Sequence, residues 1–167
     1  MEPWLASLVI VACLGAEAFF SGAEIALYSA NKLKIRHSAE QGLRTAKLIL
    51  QMLDKPEQML GSTLVMHNLV VVTETSLATA IFVNWLGHRG EWAALGLMTI
   101  LVLTVGEIFP KTIFQHHADR LAGVVILPLR VAFYICYPVA YLLTWLIGQG
   151  LRFFGLQSEN KTPFVTT

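Results

Sequence analysis

Charge is scarce in this sequence. Asp, Glu, Lys and Arg make up only 14% of 167 residues, whereas 55% are hydrophobic and mean hydropathy is +0.60. A soluble domain carries about 25% charged residues. The deficit falls in long apolar runs, which makes the chain an integral membrane protein. The net charge of +1 offers no footprint for nucleic acid. Cysteine is nearly absent too. Cys13 and Cys136 both lie in apolar runs and read as small buried hydrophobes, not as a disulfide or metal pair. His116 and His117 are adjacent, so they lack the i, i+4 spacing of a zinc helix. No HExxH, GxSxG, Walker loop or Rossmann glycine pattern occurs, and the expectation is that the chain is not an enzyme. A cleaved leader is also disfavoured. The start carries Glu2 instead of a basic stretch, and the first apolar run outlasts a leader's 7 to 15 residues, so it reads as a retained helix. No fixed-period repeat is visible, nor inverted symmetry between the halves.

What is present is a set of apolar runs, each able to cross a hydrocarbon core that takes roughly 20 helical residues. They cover about residues 4–30, 59–86 and 92–115. The first contains Phe20-Ser21-Gly22, read as a break, and the third ends at Pro110. Residues 31–56 are polar, and Leu43, Ala46, Lys47, Leu50 and Leu53 have helical spacing, which predicts a surface-lying amphipathic helix. That loop carries six Lys/Arg against Arg89 alone in the next, so the positive-inside rule puts it in the cytoplasm and the N-terminus outside. Residues 121–151 hold Pro128, Arg130 and Pro138, with aromatics such as Tyr134, Tyr137 and Trp145 that suit an interface. A kinked, re-entrant or surface-lying segment keeps Arg152 and Lys161 inside, and a fourth crossing is the alternative. The expected fold is all-α integral membrane: three transmembrane helices with juxtamembrane and interfacial belt helices, paired as a homodimer that shields polar groups at depth.

Those polar groups are mostly carboxylates. Insertion of an acid at the bilayer centre costs roughly 2.5 to 3.5 kcal/mol, so each is by default a functional position. On the first helix Glu17, Ser21, Glu24 and Tyr28 share one face, and Gly22 invites unwinding that would expose carbonyls to a cation. Ala18, Gly22, Ala26 and Ala30 form a small-residue stripe, which reads as a helix–helix contact. On the second helix Asn68, Thr75 and Thr79 share a face, with His67 and Glu74 about 100° away. The Asn68 amide oxygen suits a hard cation, whereas the threonines fit ordinary interhelical hydrogen bonds. On the third, Thr104, Glu107 and Lys111 align, and Pro110 frees the Gly106 carbonyl. Glu107 and Lys111 also stand at salt-bridge spacing. Carboxylate, hydroxyl, amide and carbonyl oxygens together point to Mg²⁺, Ca²⁺, Mn²⁺ or Na⁺.

Three stretches then stand out: Phe19 to Ser29 with its Ser-Gly-x-Glu core, Leu60 to Asn68, and Gly106-Glu107-Ile108-Phe109-Pro110-Lys111. In this order they resemble the transmembrane domain of the CorC/CNNM (cyclin M) family of magnesium transporters. The resemblance implies a homodimer of three-helix protomers in the plasma membrane, with juxtamembrane helices and a cytosolic belt. It implies Mg²⁺ at mid-membrane on Ser21, Gly22, Glu24, Asn68, Gly106 and Glu107; Glu17, Glu74 and Lys111 are read from their own positions as accessory groups on the ion path. It implies export by alternating access, with Na⁺ as the suggested exchange ion; a Mg²⁺ sensor without transport is the alternative. It further implies that residues 1–157 form the transporter domain and 158–167 begin a linker to cytosolic CBS domains that bind ATP. One departure is visible: where the family has Asn-Asn-Leu-Val-Asn, this chain has His67-Asn68-Leu69-Val70-Val71.

Overall fold

The computed structural model describes residues 3–54 and 56–153, and no strand occurs among them. Helix α1 is Pro3–Ser29, α2 Lys32–Glu40, α3 Arg44–Leu53 and α4 Pro56–Leu86. Helix α5, Arg89–Leu101, passes into a π-helical segment, Val102–Ile108, and on into α6, Phe109–His116; α7 is Ala118–Phe153. The expected linker at 158–167 lies outside the described residues.

Three stretches have the length and apolarity to span: Trp4–Ser29, Met59–Leu86 and Arg89–His116, of 26, 28 and 28 residues. At 1.5 Å per residue each reaches about 40 Å, more than the roughly 30 Å hydrocarbon core. Leu8, Val11, Leu64, Leu69, Ile100 and Ile108 are exposed on their outer faces, as lipid contact requires. The protein is therefore an all-α, multi-pass membrane protein.

The first run is not broken at Ser21-Gly22, contrary to expectation; α1 is continuous. A mid-helix glycine costs about 1 kcal/mol relative to alanine. Here the missing side chain has a packing use, because a Cβ on Gly22 would enter the Phe114 ring. The small-residue stripe is a contact surface as expected: Ala26, Leu27 and Ala30 are buried with Val125, Ile126 and Leu129 of α7. The third run continues past Pro110 by changing register. The Phe109 N–H donates to the Thr104 carbonyl, five residues back, and Pro110 follows without an N–H.

The juxtamembrane stretch folds as two helices, and the residues whose spacing predicts a helix, Leu43 to Leu53, form α3 and its N-cap. Gly42 takes φ +91°, a left-handed conformation that ends α2 and turns the chain into α3. Ile35 and Ala39 of α2, and Ala46 and Ile49 of α3, are buried in the core. The segment expected to be kinked or re-entrant is one uninterrupted helix, α7, running through Pro128. Its buried residues Ala122, Val125, Ile126, Leu129 and Ala132 make a helical stripe against α1, α3 and α4. Pro128 and Val124, whose carbonyl loses its donor, lie on the exposed side, so the core is undisturbed.

Between α4 and α5, Gly87 adopts φ +62° and Gly90 sits directly on the Phe82 carbonyl. A groove of about 610 Å³ opens beside this hairpin, lined by apolar groups such as Leu95 and Met98, with Thr75, Thr79 and Trp92. The buried carboxylates lie elsewhere.

Candidate cation site

Two acids are fully enclosed in the bundle. Glu17 on α1 and Glu74 on α4 are each 0% exposed, and apart from each other their carboxyl groups find no hydrogen-bond partner. They lie against each other where α1 packs on α4. Ser21, one turn after Glu17, is 3% exposed, and its Oγ lacks a partner. The threonines of the spans behave otherwise. Thr75 Oγ1 bonds the Val71 carbonyl at 2.6 Å, Thr79 that of Thr75 at 2.8 Å and Thr104 that of Ile100 at 2.6 Å. Their hydroxyls are satisfied within their own helices, so the structural account suffices for them. It does not for Ser21.

The π segment brings in the third span. Gly106 is buried, and a Cβ there would coincide with the Glu17 carboxylate, so the missing side chain is the space that the acid occupies. The next residue, Glu107, is held from two sides: His67 Nε2 stands 3.2 Å from Oε1, and Lys111 Nζ 3.8 Å from Oε2. Ligand atoms of Glu17, His67 and Glu107 all lie within 4.8 Å of one another. Glu24, half-buried two turns along α1, feels the fields of Lys111 and His67.

Of the residues singled out in the sequence, Gly106 lies against Glu17, Glu17 near Glu107, Lys111 near Glu107, and Glu74 against Glu17. Gly22 faces Phe114. Asn68 is exposed, and its amide donates to the Leu64 carbonyl at 2.9 Å. His67, absent from the expected ligand set, is the residue that stands with Glu17 and Glu107. Its signal was a shared face with Glu74, opposite in emphasis to the Asn68 face. Which face turns inward is a matter of packing, and periodicity does not fix it.

A second polar cluster lies at the far end of α1. The Asn31 side chain caps α2, accepting from the Leu33 and Lys34 N–H groups at 3.0 and 3.3 Å. The Asn31 backbone N–H donates to Asp119 Oδ1 at 2.8 Å, and Lys34 Nζ to Asp119 Oδ2 at 2.6 Å. The Lys34 contact, followed by that N–H, holds the Asp119 carboxyl below its ordinary pKa.

Three apolar spans that enclose acidic side chains define a multi-pass membrane domain with a polar interior. The chain belongs to the family described as the Cyclin M transmembrane N-terminal domain, which it matches over residues 8–167. It is 31% identical over 160 residues, 96% of its length, to a UPF0053 protein of Haemophilus influenzae. It is 30% identical over 145 residues, 85% of its length, to the UPF0053 inner membrane protein YfjD of Escherichia coli K12. The Polyamine export protein of the same strain is 26% identical over 171 residues, covering 94% of this chain. The chain spans 38%, 33% and 38% of these three relatives.

Proposed function

We propose that this chain is the ion-translocating domain of a Mg²⁺ exporter, with the cation held by oxygens from α1, α4 and the π segment. The observation that carries the reading is the approach of Glu17 to Glu107 and His67, with Glu74 and Ser21 buried nearby on α4 and α1 among apolar spans. Ser21 Oγ is buried without a hydrogen-bond partner. Such a group costs about 1 to 3 kcal/mol, which a bound cation would offset. Carboxylate and hydroxyl oxygens suit a hard ion, and Mg²⁺ takes one or two carboxylates while keeping several waters. The protein works as a homodimer with the N-terminus outside and α2 and α3 on the cytoplasmic side, where their lysines and arginines satisfy the positive-inside rule. Alternating access moves the site between the two faces, with Na⁺ as the exchange ion.

An amine cargo is the second reading, raised by the name of the relative described as a polyamine export protein. An extended polyamine needs anionic groups strung along its length. The three donor groups here gather within 4.8 Å, which suits a point ion.

The test is Mg²⁺ efflux from proteoliposomes holding the full-length protein. Glu107→Gln and Ser21→Ala abolish flux while leaving the oligomer intact, and unchanged flux in both refutes the site. Binding of Mg²⁺ without flux selects a sensor, and block by spermidine without Mg²⁺ dependence selects the amine.

A further inference from the structure

We infer that Glu17, His67 and Glu107 form a mixed nitrogen–oxygen site that binds first-row transition divalent ions, Mn²⁺ through Zn²⁺, more tightly than Mg²⁺. This rests on the reading that a divalent cation enters the bundle, and it sharpens that reading to a chemical class. Imidazole is a good ligand for Zn, Fe, Cu and Ni, whereas Mg²⁺ is served by carboxylate, carbonyl and water.

The geometry suits a metal. Adjacent ligands around an ion with bonds of about 2.1 Å stand about 3.0 Å apart in an octahedron and 3.4 Å in a tetrahedron. His67 Nε2 and Glu107 Oε1 are 3.2 Å apart. Lys111 approaches the other oxygen of Glu107, which leaves Oε1 turned to the imidazole. The Glu17 carboxylate completes the triad within 4.8 Å and is backed by the Gly106 backbone.

A plain His67–Glu107 ion pair accounts for less. It leaves Glu17, whose ligand oxygen lies within 4.8 Å of both partners, outside the interaction. A divalent ion between Glu17, His67 and Glu107 engages all three groups at once. Ser21, on the same face as Glu17 one turn away, adds a hydroxyl oxygen. Mg²⁺ enters such a site as the abundant competitor and the transition ion as the tighter one.

The experiment is metal titration of the detergent-solubilised full-length protein, with pulsed EPR of bound Mn²⁺. Wild type is expected to bind Mn²⁺, Co²⁺ and Zn²⁺ more tightly than Mg²⁺, and the Mn²⁺ signal to carry ¹⁴N coupling from one imidazole. His67→Asn is expected to lose the ¹⁴N coupling and to weaken Co²⁺ and Zn²⁺ binding at least about tenfold, since even the partner of a ligand is worth 10- to 100-fold. In the same variant Mg²⁺ affinity falls by less than Co²⁺ and Zn²⁺ affinity, and an unchanged melting temperature in detergent reports an intact bundle; Glu17→Gln weakens both classes of ion. Mn²⁺ bound without ¹⁴N coupling, or Co²⁺ affinity unchanged in His67→Asn, overturns the mixed-ligand site while the cation reading survives. Failure of wild type to bind any divalent ion overturns both.

Discussion

The two polar clusters of this molecule obey opposite rules. Around Asp119, every polar group described has a partner: Asn31 caps α2, and Asp119 takes both the Asn31 N–H and the Lys34 ammonium. Both charged side chains there are well exposed, at 70% and 44%. Around Glu17 and Glu74 the groups are enclosed, the two carboxyls against each other and Ser21 Oγ without a partner. Polarity that holds helices together is paired near the surface, as at Asp119, whereas polarity set deep among apolar spans is costly to keep.

Substitutions should fall on either side of that division. Gly106→Ala drives a methyl group into the Glu17 carboxylate, and overpacking of this kind costs about 1 to 3 kcal/mol. Loss of cation binding together with a lowered melting temperature in detergent is expected; retention of both would show that the acid can move aside. Glu74→Leu should work in the other direction. Removal of a fully buried acid from the apolar bundle raises stability by about 1 to 3 kcal/mol while divalent binding weakens, read by thermal unfolding and titration of one sample. A destabilised Glu74→Leu variant would mean that Glu74 has a structural partner and would erase the contrast.

Asp119→Ala belongs on the structural side and carries the smallest effect. Exchange of the Asn31, Leu33 and Lys34 amides should quicken, while cation affinity stays unchanged. The contact is also acid-sensitive. The folded-state pKa of Asp119 is depressed, so its contribution is present above the unfolded value of about 3.9 and is lost as pH falls through the lower folded one. Amide exchange at Asn31 measured from pH 6 down to pH 3 checks this, and added salt weakens the same contact. An unchanged exchange rate across that range would remove the belt from the comparison.

Much of this was legible in the residues, and the failures have physical causes. The three spans follow from apolar length, and observed limits of 4–29, 59–86 and 89–116 lie close to those expected. The acids announced themselves by their depth in apolar runs. Gly22 and Pro128 misled, because each is a helix breaker only when nothing compensates it. Phe114 fills the notch at Gly22, and Pro128 spends its lost hydrogen bond on the exposed side of α7. Gly42 was the opposite case, a true break just before the stretch from Leu43 to Leu53 whose spacing suggested a helix. Helix periodicity put His67 and Asn68 on faces about 100° apart. Only tertiary packing then turned His67 toward Glu107 and left Asn68 bonded to its own helix.

The π segment ties the position of an acid to backbone register. A π turn holds one residue more than an α turn, and each residue of an α-helix advances the side chains by about 100° around the axis. If Val102–Ile108 relaxed to α geometry, the chain beyond it would swing by that angle. Glu107 would then leave His67, and the Gly106 notch would slide off Glu17. One surplus residue in the third span thus acts as an angular setting, with the converged and dispersed arrangements of the site a single backbone step apart.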